Sequence, residues 1–109
     1  MSVDAALTAH PVNAAVLVGH NVTLECRTNT TRGLAWLFNG GKITSGNDVA
    51  PGINDVSVDA DEQSGKYNLV LHSVQLSHAN EYLCFEDNTF QSQASLVALG
   101  KMSLHTTLS

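Results

Sequence analysis

Residues 21–38 read NVTLECRTNTTRGLAWLF, and bulky apolar side chains occupy every second position at both ends of this stretch. These residues are Val22, Leu24 and Cys26, and then Leu34, Trp36 and Phe38. A period of two sends successive side chains to opposite faces of an extended chain, so each end predicts a half-buried β-strand. The polar segment between the two strands predicts a loop.

The same two-residue period recurs along the rest of the chain. Apolar positions alternate in residues 56–59, in 67–71 and around 82–84. Turn-forming residues separate these runs, and Asn39-Gly40 is the strongest turn signal because both residues tolerate the positive φ of a tight hairpin. Many short strands separated by Gly and Asn turns predict an all-β fold, either an antiparallel sandwich or a small barrel.

Composition narrows the possible functions. The chain has 109 residues, 43% of them hydrophobic, which suits one globular domain. Five Lys and Arg residues are scattered against ten Asp and Glu, for a formal net charge of −5, so no basic stripe predicts a nucleic-acid partner. No apolar run approaches the roughly 18 to 20 residues of a membrane span, so we expect no direct membrane insertion.

The two cysteines, Cys26 and Cys84, lie 58 positions apart and form no CxxC motif, so zinc binding is not predicted. Two buried free thiols in a cytosolic protein remain one interpretation. The sequence begins without a leader-like segment, which fits either a cytosolic protein or a secreted one whose leader was removed. Glycosylation sequons at Asn21 and Asn29 favour an oxidising, glycosylating compartment.

No pattern in the sequence indicates catalysis. The histidines lack the HExxH arrangement of a metal site, and they are His10, His20, His72, His78 and His105. An acidic run at Asp59, Asp61 and Glu62 lacks the central glycine of a calcium loop and is interpreted as a solvated turn. We therefore predict no catalytic residue, no metal ligand and no cofactor.

Four residues carry a family resemblance. Trp36 follows Cys26 by ten positions, and Tyr82 precedes Cys84 by two, which is the pattern of immunoglobulin domains. With Leu69-x-Leu71-x-x-Val74, the chain resembles a variable-like domain of the immunoglobulin superfamily, of the V-set or the I-set, over residues 7–99. Residues 1–6 would be an N-terminal tail, and residues 100–109 a C-terminal tail or linker.

The resemblance implies an immunoglobulin-like, two-sheet antiparallel β-sandwich with a disulfide between Cys26 and Cys84. Its core would contain Trp36, Tyr82, Leu69 and Leu71. The sequence departs from the family at His78, where variable-type domains usually carry an Asp paired with a basic residue that opens strand D. Because residues 53–61 contain no Lys or Arg, that ion pair is expected to be absent.

A binding face follows from strand parity. If the core residues point inward, Leu37, Leu83 and Phe85 point outward on neighbouring strands, with Phe90 as a further member. In the family this is the sheet of strands G, F, C and C′ through which variable domains pair. Residues 87–89 leave only a short loop after strand F, so contact would come mostly from the flat sheet.

These observations predict a non-enzymatic recognition module of a cell-surface or secreted protein. It would bind a protein partner or itself in extracellular adhesion or immune-type recognition, with a twofold homodimer as the simplest self-complementary arrangement. The alternative is a structural spacer domain in a larger adhesion or matrix protein. A small-ligand carrier is disfavoured because Trp36 and the disulfide would fill the space between the sheets.

Overall fold

The computed structural model describes residues 7–29, 34–86 and 90–100, with Phe90 described by its backbone alone. Apart from one 3₁₀ turn at Leu76–His78, the regular elements in these residues are strands. They are β1 Leu7–Ala9, β2 Ala14–Leu17, β3 Val22–Leu24, β4 Arg27–Thr28, β5 Ala35–Phe38, β6 Gly41–Ser45, β7 Asp48–Val49, β8 Val56–Asp61, β9 Lys66–Leu71, β10 Asn80–Glu86 and β11 Phe90–Leu99. Both predicted tails lie outside the described residues except for Gly100, so the domain boundaries stay predictions.

The strands form two sheets, which confirms the predicted immunoglobulin-like sandwich. One sheet has the order β1-β4-β9-β3 with β8 also paired to β9, and the other has the order β2-β11-β10-β5-β6-β7. Pairing is antiparallel except between β2 and β11, which run parallel. The chain changes sheets between β1 and β2 at the buried Pro11, a residue that lacks the N–H needed to continue a ladder.

The core lies between the sheets and is centred on the disulfide of Cys26 and Cys84, whose Cα atoms are 6.5 Å apart. Trp36 is fully buried, and its indole Nε1–H donates to the carbonyl of Tyr67 at 2.9 Å, so its one polar group is satisfied. Leu69 and Leu71 are fully buried in the same cluster.

Gly65 allows the close approach of β4 to the turn before β9. The N–H of Thr28 donates to the carbonyl of Gly65 at 2.9 Å. Gly65 has φ +75°, and a Cβ at this position would collide with the carbonyl oxygen of Thr28. Glycine therefore meets both a backbone and a space requirement here.

The turn between β9 and β10 contains a tyrosine corner. The hydroxyl of Tyr82 donates to the carbonyl of His78 at 2.6 Å. Nε2 of His78 lies 3.5 Å from Oδ2 of Asp55, which precedes β8. The family's usual ion pair, an acid at position 78 with a base in residues 53–61, cannot form in this sequence. His78 and Asp55 instead make a contact in which the order of acid and base is reversed.

Candidate recognition surface

Three apolar side chains meet on the outer face of the six-stranded sheet. Leu83 on β10 pairs directly with Leu37 on β5, and Phe85 follows two positions along β10. Their neighbours in sequence, Trp36 and Cys84, are fully buried on the opposite face. We name Leu37, Leu83 and Phe85 the central patch; all three are half-buried rather than fully exposed.

Polar side chains surround the central patch. Gln91 and Gln93 on β11 are exposed and pair with Phe85 and Leu83. On the other side, Nζ of Lys42 lies 5.9 Å from the centroid of the Phe85 ring, within range of a cation–π interaction. An apolar centre with a polar rim is the usual anatomy of a protein interface.

Phe90 was predicted to extend this face. Its backbone pairs with Glu86 at the start of β11, but its side chain lies outside the described residues. Its contribution therefore stays a prediction.

A second apolar group on the same face was missed by the sequence reasoning. The parallel pairing of β2 with β11 places Val97 opposite Ala15 and Leu99 opposite Leu17. Val97 is 50% exposed, Leu99 45% and Leu17 43%. We name these four residues the edge patch; residues 14–17 and 96–99 are apolar at every position, so the sequence pattern did not indicate which of their side chains face outward.

The outer face of the other sheet is polar. Thr23 and Asp59 are exposed, and the carboxylate of Asp59 lies 3.5 Å from Nζ of Lys66. Asn21 is exposed beside this sheet, and its Oδ1 accepts the N–H of Ser73 at 2.9 Å. This bond leaves the amide nitrogen, the atom that a glycan modifies, available. Asn29, the other sequon asparagine, is also exposed.

A cleft of about 230 Å³ opens beside β5 and β6. Phe38, Ile43 and Tyr82 line it on the apolar side, while Asp55 and His78 are at its polar side. Its volume is below the roughly 300 to 1,000 Å³ of ordinary ligand pockets.

Among the described residues, no three His, Cys, Asp or Glu side chains converge on a possible metal position.

Burial changes the ionisation of the two tyrosines. It raises the pKa of Tyr82 to about 12. Burial also raises the pKa of Tyr67, and the nearby carboxylate of Glu62 adds to the effect. Both phenols are therefore neutral hydrogen-bonding groups at physiological pH.

Within the ranges that the structure covers, no helix is long and apolar enough to cross a bilayer.

A family model described as "Immunoglobulin domain" matches residues 6–88. No curated protein sequence matches the chain. Among solved structures, the chain is similar to that of "Dpr1 IG1 bound to DIP-eta IG1", with a TM-score of 0.77, 19% identity, and coverage of 89% of this chain and 97% of that one.

Two further structures are similar. The structure of "Rst D1-D2" gives a TM-score of 0.81 and 23% identity, with coverage of 89% of this chain and 50% of that one. This chain therefore spans half the length of that chain. The "RIG-5 IG1 homodimer" gives a TM-score of 0.76 and 16% identity, covering 89% of this chain and 99% of that one. At these identities the likeness shows the fold.

Proposed function

This chain belongs to the immunoglobulin domain family, and we propose that it acts as a non-enzymatic recognition module that binds a protein partner or a second copy of itself. The proposed contact is the central patch on the sheet that corresponds to strands G, F, C and C′. The observation that carries this proposal is the direct pairing of Leu83 with Leu37, with Phe85 adjacent, inside a polar rim.

Energetics favour a weak to moderate complex. A fully buried Leu or Phe side chain contributes about 1.5–3 kcal/mol, and the three patch residues are already half-buried in the domain. The free energy gained by burying their remaining exposed surface must offset the several kcal/mol that association costs in lost translational and rotational freedom. The contact would therefore need the rim, including Lys42 and Gln93, as well as the patch.

Two of the similar structures support a protein as the partner. One is of Dpr1 IG1 bound to DIP-eta IG1, and another is of a RIG-5 IG1 homodimer. In both, an immunoglobulin domain binds another immunoglobulin domain. For this chain, a twofold homodimer through the central patch is the simplest self-complementary arrangement.

An extracellular location is part of the proposal, as a secreted protein or as the ectodomain of a membrane protein. The disulfide between Cys26 and Cys84 would be maintained in an oxidising compartment. Glycans on Asn21 and Asn29 would be compatible with binding through the central patch, because Asn21 precedes β3 and Asn29 follows β4, and both strands belong to the other sheet.

A structural spacer in a larger adhesion or matrix protein is the second candidate. The observation that favours it is the partial burial of Leu37, Leu83 and Phe85, which leaves less apolar surface than the strand pattern alone implied. A spacer would hold neighbouring domains at a distance, and substitutions in the central patch would not change association.

The test compares two matched double variants. Leu37→Asp with Leu83→Asp places two charges at a directly paired position in the patch. Thr23→Asp with Val70→Asp does the same on the outer face of the other sheet, where those two residues also pair directly. Circular dichroism checks the fold of each variant, and light scattering and adhesion between cells displaying the chain measure association.

Loss of association in the patch variant alone supports the proposal. Loss of adhesion with an unchanged monomeric mass identifies a partner other than this chain. If both variants behave like wild type in both assays, the spacer role replaces the proposal. If Val97→Asp abolishes association and the patch variant does not, the contact belongs to the edge patch and the proposed face is wrong.

A further inference from the structure

His78 closes the turn between β9 and β10 through three contacts. Its Nδ1 lies 2.7 Å from the backbone nitrogen of Gln75, the residue that precedes the 3₁₀ turn. Its Nε2 lies 3.5 Å from the carboxylate of Asp55, and its carbonyl accepts the Tyr82 hydroxyl. One side chain thus joins its own turn to the segment that leads into the other sheet.

These contacts determine which ring nitrogen carries the proton. A backbone N–H can only donate, so Nδ1 must accept and must be unprotonated. In the neutral ring the proton is then on Nε2, which faces the carboxylate of Asp55. The geometry therefore assigns the Nε2–H tautomer from the hydrogen-bond network.

A second proton on the ring would break this arrangement. Protonation converts Nδ1 into a donor, and two donors cannot remain 2.7 Å apart. The ring must then rotate or move, and the N–H of Gln75 loses its acceptor.

The other groups near His78 do not compensate for this loss. The carboxylate of Asp55 is 60% exposed, and attraction to a charge at such a site is weakened by solvent. Burial raises the pKa of Tyr82 to about 12, so the phenol stays neutral. Glu81 occupies the outward row of β10, and β11, which packs against the turn, contains no ionisable residue.

We propose that His78 is an acid-sensitive latch on the turn of residues 75–79. The latch is closed when the imidazole is neutral and opens when it gains a proton. The Tyr82 hydroxyl bonds to the backbone carbonyl of His78 and not to its ring, so we expect opening to be confined to the turn. The latch acts apart from the central patch, and either proposal can fail without the other.

The test measures the hydrogen-exchange protection of the Gln75 amide at pH 7.5 and pH 5.0, corrected for intrinsic exchange. In wild type we expect protection to fall at least tenfold at the lower pH, while Leu69 and Leu71 keep theirs. His78→Gln supplies an acceptor that does not titrate, of the kind used in capping boxes, so its protection should not depend on pH. His72→Gln is the matched control, since His72 is exposed and contacts Ser57; it should behave like wild type.

Three results would overturn the proposal. The first is that protection of the Gln75 amide in wild type does not change with pH. The second is that this protection rises at pH 5.0 and the rise is lost in Asp55→Asn, which would mean that the ion pair with Asp55 is the stronger contact. The third needs no variant: imidazole ¹⁵N shifts at pH 7.5 must report the Nε2–H tautomer of His78, and the Nδ1–H tautomer would exclude the latch.

Discussion

Gly65→Ala tests how closely β4 approaches the turn before β9. Gly65 has φ +75°, and its added methyl group would collide with the carbonyl oxygen of Thr28. Gly52 provides a matched control, because it has φ +86° with nothing within 4 Å of a Cβ. Both substitutions carry the backbone cost of a left-handed conformation, and only the first adds a collision.

The expected difference follows from these contacts. An L-residue in the left-handed region costs about 1–2 kcal/mol, and this applies to both positions. Relieving the collision at Gly65 strains the surrounding packing by about 1–3 kcal/mol. It also lengthens the hydrogen bond from the N–H of Thr28, a bond that contributes about 0.5–1.5 kcal/mol. Gly65→Ala should therefore lower the free energy of unfolding by about 1.5–4.5 kcal/mol more than Gly52→Ala.

Equilibrium unfolding in urea measures this difference directly. Trp36 is the only tryptophan and is fully buried, so its fluorescence reports the opening of the core. If the two variants unfold within about 1 kcal/mol of each other, the close approach described here is wrong. Loss of stability in both, with the larger loss at Gly65, supports it.

Three further predictions concern the disulfide, the tyrosine corner and the sequons. Replacing Cys26 and Cys84 together with Ala should lower the free energy of unfolding by about 4 kcal/mol in the loop-entropy model, because the bond closes a separation of 58 residues; denaturation of the oxidised wild type beside the variant measures this. Burial raises the pKa of Tyr82 from 10.0 to about 12, so the folded state retains a proton that the unfolded chain releases. The contribution of Tyr82 to the free energy of unfolding should be fully present below pH 10 and should be lost as the pH rises to about 12. If the free energy of unfolding of Tyr82→Phe declines equally steeply over this range, the cause is not the Tyr82 phenol. In a eukaryotic secretory host, peptide mapping should find glycans on Asn21 and Asn29, and two unmodified sites would count against the extracellular location.

Several features of the fold were accessible from the sequence because they depend on short-range periodicity and on a few spaced residues. The two-residue alternation located strands such as β3, β5 and β9, since strand side chains alternate whatever they pack against. The spacing of Cys26, Trp36, Tyr82 and Cys84 selected the sandwich over a barrel. The sequence did not reveal that β2 runs parallel to β11, because that pairing joins residues about 80 positions apart.

The sequence by itself determined which side chains share a row on a strand; only the tertiary structure decided how exposed each row is. Parity grouped Leu37 with Leu83, but neighbouring strands and the side chain of Lys42 decide how much of that surface water reaches. Exposure of the edge patch depended on the pairing of β2 with β11. The contact between Asp55 and His78 could likewise be found only in the tertiary structure. The two residues lie 23 positions apart in the sequence, and the acid and the base occupy the reverse of the positions that they have in the family pattern. Periodicity is a property of the local backbone, whereas exposure and charge pairing depend on which distant segments meet.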